Sequence, residues 1–186
     1  MTVHREYHRL MIALPLALAS VVVLQVGAGV AMAQSEWVPL ARLYNPNTGD
    51  HFYTSSRLEG QRAQRRLGYT FEGVAAYVAS DPDPGDGLVP LYRLFNPSAG
   101  THFYTTDRSE GLTARDQLGF HFEGVAGYIS ASPGDGLAPL YRLSNTSNGD
   151  HLYTTSRTEG LLARDQLGYQ FEGIIGYVQP APEPTR

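Results

Sequence analysis

One 39-residue pattern recurs three times without a gap, at Leu40–Val78, Leu91–Ile129 and Leu140–Val178. Each copy reads L-x-R-L-x-N-x-x-x-G-x-H-x-Y-T-x-x-R-x-E-G-x-x-A-x-x-x-L-G-x-x-F-E-G-x-x-x-Y, and 18 of the 39 positions hold the same residue in all three. A period this regular means one supersecondary unit used three times, and a unit so short cannot bury its own apolar face. The copies must therefore pack on one another. A residue present in every copy can also serve that shared architecture rather than chemistry.

The third copy shows the unit most clearly. Leu140–Asn145 alternates as a strand, Thr146–Gly149 is a turn carrying the Asn148-Gly149 hairpin signal, and His151–Thr154 returns. The Gly at the last turn position of each copy suits a backbone with φ > 0. Ser56, Asp107 and Ser156 then open a helix, each followed three residues later by Glu59, Glu110 or Glu159. That spacing predicts a capping box, with the Glu reaching back to the cap amide. The helix runs about ten residues to Leu167, where Gly168 stops it. A longer strand, Gln170–Val178, completes the copy, and Pro/Gly/Asp-rich linkers at Ala79–Pro90 and Ser130–Pro139 join the copies.

The expected fold is a β-dominated α+β domain of three strand-strand-helix-strand repeats closed around a pseudo-threefold axis, trefoil-like in symmetry. An open stack of three repeats is the alternative, disfavoured because stacks need atypical polar end repeats and these ends match the middle. The repeats occupy 40–178, after a lead-in at 34–39 and before a Pro-rich tail at 179–186.

Residues 1–33 carry a different signal. A short basic stretch (His4, Arg5, His8, Arg9) precedes an apolar run ending in Ala31-Met32-Ala33, which reads as a signal peptide cleaved before Gln34. An uncleaved anchor is the alternative, since the run is long enough to span a bilayer. Cleavage implies an exported protein, periplasmic or extracellular, with no further membrane association. The remaining 153 residues carry 12 arginines, no lysine and 17 acids. Such an acidic balance without a basic cluster excludes nucleic acid as a natural partner. With no cysteine, stability must come from packing and hydrogen bonds even in a compartment that permits disulfides.

Three sets of repeated polar residues are candidates for function. Arg42, Arg93 and Arg142 recur with Glu72, Glu123 and Glu172, and read as structural ion pairs tying the first strand of each copy to its last. His51, His102 and His151 begin the return strands, with Tyr53, Tyr104 and Tyr153 two residues on and so on the same face. These six are the candidate ligand-binding residues, because Tyr combines an apolar ring with a hydrogen-bonding tip suited to sugars and partner proteins. Tyr77, Tyr128 and Tyr177 are expected in the core instead. Convergence of the three imidazoles on an axis would resemble a catalytic zinc site and make a metal-dependent hydrolase. A structural histidine near the hairpin is the plainer alternative, so no metal or cofactor is assigned. The run Asp81–Gly87 lacks the acids and closing Glu of a calcium loop, and no nucleophile elbow, H-E-x-x-H or phosphate loop is present.

The motifs Arg42-Leu43-Tyr44-Asn45-Pro46, Gly49-Asp50-His51-Phe52-Tyr53-Thr54, Leu67-Gly68-Tyr69 and Glu72-Gly73 resemble a family of exported bacterial Tyr-rich repeats of unknown function. The resemblance extends over all three copies. Repeats of that family are often appended to secreted hydrolases, which implies a role in targeting surface polymers. Where the family often has Trp after the Leu-Gly, this chain has Tyr69, Phe120 and Tyr169. The expected function is an exported, non-catalytic binding module for a glycan or cell-envelope component, with a protein-interaction or structural module as the alternative.

Overall fold

The computed structural model describes residues 35–82 and 85–182, so the signal segment expected at 1–33 lies outside the described residues. The first repeat comprises β1 (Trp37–Asn45), β2 (Asp50–Thr54), α1 (Arg57–Arg66) and β3 (Thr70–Ala79). The second comprises β4 (Leu88–Asn96), β5 (Thr101–Thr105), α2 (Arg108–Leu118) and β6 (His121–Ser130), and the third β7 (Ala138–Asn145), β8 (Asp150–Thr154), α3 (Arg157–Leu167) and β9 (Gln170–Pro180). The fold is thus β-dominated and antiparallel, with one short helix per repeat. Among the described residues no helix is long and apolar enough to cross a membrane.

The first strand extends further back than the repeat boundary predicts. Trp37, Val38 and Pro39, expected in a lead-in, pair with Ala79, Val78 and Tyr77. Gln179 and Pro180, expected in the tail, continue β9 and pair with Tyr77 and Ala76 of the first repeat.

Within each repeat the first strand lies between the other two, β1 pairing with β2 and β3. Two bulges interrupt the longer ladder, because Leu40↔Ala76 is followed by Ala41↔Val74, and Arg42↔Gly73 by Leu43↔Phe71. Ala75 and Glu72 are the extra residues, and β4/β6 and β7/β9 repeat the shift at the same places. A bulge re-aims a side chain and frees a carbonyl from the ladder. Both consequences matter here: Glu72 turns toward Arg42, and the carbonyls of Ala126 and Ile175 accept from Ser55 and Thr106 of the preceding repeat, each at 2.7 Å.

The bulges also explain why Leu40 and Leu43, an odd number of residues apart, are both buried. They serve two different cores. Leu40, Tyr53, Ala76 and Val78 join their counterparts from the other repeats in one shared cluster. Leu43, Phe52, Ala63 and Tyr69 form a small private core beneath α1, and each of the other repeats has its own. Adjacent residues in β2 therefore face opposite ways, Phe52 toward its helix and Tyr53 toward the shared core.

Contacts link every repeat to both others. Ala79 of β3 pairs with Tyr128 of β6, Ser130 of β6 pairs with Tyr177 of β9, and β9 pairs back onto β3.

Candidate functional site: the seams between repeats

Each helix starts with half of the predicted capping box. Ser56 Oγ accepts from the Glu59 amide, and Asp107 and Ser156 do the same for Glu110 and Glu159. The cap amide itself is satisfied differently, donating to Thr54, Thr105 or Thr154 Oγ1 at 2.9–3.0 Å. That releases the glutamate. Glu59 takes the Thr54 hydroxyl and then both terminal nitrogens of Arg93 from the next repeat, at 2.8 Å each. Glu110 holds Arg142 in the same bidentate way, and Glu159 holds Arg42 at 2.9 Å. Each arginine also lies by the bulged glutamate of its own repeat: Arg42–Glu72 2.8 Å, Arg93–Glu123 2.8 Å and Arg142–Glu172 2.6 Å. Arg93 Nε makes its approach as an ion pair without hydrogen-bond geometry. The arginines thus tie repeat to repeat as well as strand to strand, and only the second link is visible in the sequence pattern. Burial works against ionisation of Glu59, but the hydrogen bonds from Arg93 and Thr54 outweigh it and hold the carboxyl below its ordinary pKa.

The histidines sit at the same seams. In two of them an aspartate from one repeat receives the histidine of the next. Asp50 accepts from the His102 amide at 2.7 Å, from His102 Nδ1 at 2.6 Å and from the Tyr69 hydroxyl at 2.6 Å. Asp150 accepts from the His51 amide at 2.7 Å, His51 Nδ1 at 2.6 Å and the Tyr169 hydroxyl at 2.5 Å. Burial opposes a charge on His102, yet its hydrogen bonds to Asp50 and Glu123 raise its pKa above the ordinary value.

The third seam breaks the pattern with two linked changes. Thr101 stands where the other repeats have Asp, and Phe120 stands where they have the tyrosine that donates to it. Thr101 Oγ1 and His151 Nδ1 are buried there with no hydrogen-bond partner among the described residues. Burial holds His151 below its ordinary pKa, the opposite direction from His102. The double change Thr101→Asp with Phe120→Tyr rebuilds the missing trio and is expected to raise stability by about 1–2 kcal/mol. A rise in the urea midpoint at unchanged m-value checks it.

The tyrosines do not form a surface. Tyr53, Tyr104 and Tyr153, expected among the ligand-binding residues, are at most 2% exposed and belong to the shared core. Tyr53 hydroxyl donates to the Tyr153 carbonyl and accepts from the Tyr153 amide. Tyr104 repeats this on Tyr53, and Tyr153 on Tyr104. Six hydrogen bonds of 2.7–3.0 Å therefore close a ring through the three repeats. The rings pack edge-on at 5.3–5.5 Å, and burial pushes all three phenols well above their ordinary pKa. Tyr77, Tyr128 and Tyr177, expected in the core, are only half-buried. The side chains that converge are tyrosines, while each histidine is directed to its own seam. Among the described residues no three His, Cys, Asp or Glu are grouped to hold a metal ion.

A groove open to a ligand lies over the seam between the first and second repeats. It encloses about 580 Å³ and runs between α1 and the β4–β5 hairpin. Phe52 and Phe95 flank the His102 ring at 4.7 and 4.9 Å, and Arg93 lies over Phe52 at 5.1 Å. Leu67, Tyr69 and Arg62 complete the apolar and cationic wall. Counterpart positions differ in the other seams: Phe95 becomes Ser144 or Tyr44, and Arg62 becomes Thr113 or Leu162. A smaller cleft of about 310 Å³ lies inside the third repeat, between α3 and Phe171, away from the polar network.

The fold and its seams define a triple-repeat β-domain held together by reciprocal polar contacts between copies. The family described as Domain of unknown function (DUF5648) matches residues 39–179, and the chain belongs to it. No curated protein and no solved structure matches the chain.

Proposed function

We propose that this protein is an exported, non-catalytic binding module whose ligand is a glycan of the cell envelope or surroundings. The observation that carries this reading is the groove between the first and second repeats. It combines aromatic and aliphatic side chains with Glu59, Arg93 and His102, held by contacts across the seam, and with Glu123, held by Arg93 and His102 of its own repeat. Such a surface offers an apolar wall to the C–H face of a sugar and fixed hydrogen-bonding groups to its hydroxyls. Polar groups held in advance lose little freedom on binding.

The mutual pairing of β3, β6 and β9, together with the tyrosine ring, supports repeats closed around a pseudo-threefold axis rather than stacked openly. The helix in each copy sets this arrangement apart from an all-strand trefoil. Closure by reciprocal contacts leaves three related seams, and their unequal lining favours one principal site over three. Export rests on the basic and apolar character of residues 1–33. The resemblance to repeats attached to secreted hydrolases agrees with a targeting role.

A glycan array and retention on envelope polysaccharide test the reading. Retention is expected, and Phe95→Ala is expected to weaken it about tenfold by removing one aromatic wall. Arg62→Leu, which copies the third repeat, is expected to weaken it by a smaller factor. Absence of retention on every polymer would overturn the proposal, as would retention indifferent to Phe95.

A further inference from the structure

The seam between the second and third repeats differs from the other two in a way that has a defined chemistry. In the two intact seams the place is filled by a carboxylate, and the groups around it are donors: the histidine amide, histidine Nδ1 and a tyrosine hydroxyl. In the third seam the carboxylate and the phenolic hydroxyl are missing, while the histidine and its backbone remain. Thr101 is 1% exposed, and its hydroxyl and His151 Nδ1 are both buried and unpartnered among the described residues. Thr is one heavy atom smaller than Asp, and Phe one smaller than Tyr. Two heavy atoms of the intact seams are therefore absent here, and a chloride ion is on the scale of one water molecule, roughly 30 Å³.

We propose that this seam is a binding site for a small monovalent anion of chloride size, held by the His151 amide, His151 Nδ1 and the Thr101 hydroxyl in place of the absent carboxylate. In the seam of Asp50 an arginine and two glutamates, Arg93, Glu59 and Glu123, also stand by, and the added carboxylate is balanced by the proton that hydrogen bonds to Asp50 and Glu123 hold on His102. Around His151 these neighbours are Arg142, Glu110 and Glu172, with Asp150 beside it along the strand and the Phe103 ring packed at 5.0 Å. Water is the rival occupant, but a water molecule brings hydrogens of its own into a place where donors already converge. An anion accepts from all three and holds the proton on Nδ1. Anion and proton therefore bind together, and the site strengthens as pH falls through the ordinary histidine range.

Crystals of the protein soaked in bromide and titrations of the wild-type protein in solution test this. An anomalous peak is expected between Thr101 and His151. In solution at pH 5.5, replacing gluconate by 0.2 M chloride at constant ionic strength is expected to raise Tm by about 3 °C. Chloride is also expected to raise the His151 pKa seen by NMR. Thr101→Asp with Phe120→Tyr supplies an internal carboxylate and should abolish the chloride response. Thr101→Val keeps the side-chain shape, removes the hydroxyl, and should weaken the response about tenfold. No anomalous peak with no chloride response in the wild type would assign the place to water and overturn the proposal. An equal response in the wild type and in either variant would overturn it as well.

Discussion

Replacing Asp150 by Ala is expected to cost about 3–5 kcal/mol of folding stability, the scale for removing one partner of a buried charged pair. The carboxylate is wholly buried and receives three donors from two repeats. Its loss strands the His51 amide and ring nitrogen together with the Tyr169 hydroxyl. Asp150→Asn keeps one acceptor oxygen and should lose less. The effect must also depend on pH. Burial works against ionisation of Asp150, but its hydrogen bond to His51, the His51 charge and the Tyr169 hydroxyl outweigh it, so its folded pKa lies below the ordinary aspartate value. The unfolded chain then binds more protons across that interval. The contribution is present above the ordinary aspartate pKa and disappears as pH falls through the folded one. Urea unfolding at neutral pH and in acid should show the gap between wild type and variant closing in acid.

Tyr104→Phe is expected to cost about 2–4 kcal/mol although it removes a single oxygen. That oxygen accepts from the Tyr53 amide at 2.8 Å and donates to the Tyr53 carbonyl at 2.7 Å. Deleting it leaves a buried donor and a buried acceptor unpaired at about 1–3 kcal/mol each. The same substitution at half-buried Tyr128 is the control and should stay within about 0.5 kcal/mol. Thermal unfolding that shows equal losses at the two positions would contradict the ring's structural role.

The two tyrosine sets show where a repeat pattern misleads. A period-2 strand places Tyr53 beside His51 on one face, and that relation holds. Whether that face looks to solvent or to another copy depends on how three copies meet, which no single repeat encodes. The capping box fails for a related reason. Ser56 and Glu59 have the expected spacing, but Thr54 lies close enough to serve the cap amide, and Arg93 from another repeat competes for the glutamate. The strand-to-strand pairs Arg42–Glu72, Arg93–Glu123 and Arg142–Glu172 were legible because both partners belong to one unit. A signal for the defective seam was also present, since Thr101 and Phe120 depart together from an otherwise shared pattern. Its meaning needed the structure, because Asp50 and Tyr69 form their trio with a histidine 52 positions from Asp50.

From the amino acids alone came the repeat, its order of strands and helix, the turn and cap positions, and the absence of any disulfide. Those are local properties, set by hydrophobic period, backbone preference and side-chain reach over a few residues. The tertiary structure decided which faces became the shared core, which glutamate each arginine holds across a seam, and which seam lacks its carboxylate. Those depend on packing between copies about 50 or 100 residues apart. Burial then sets the energy of every polar group trapped at the contact.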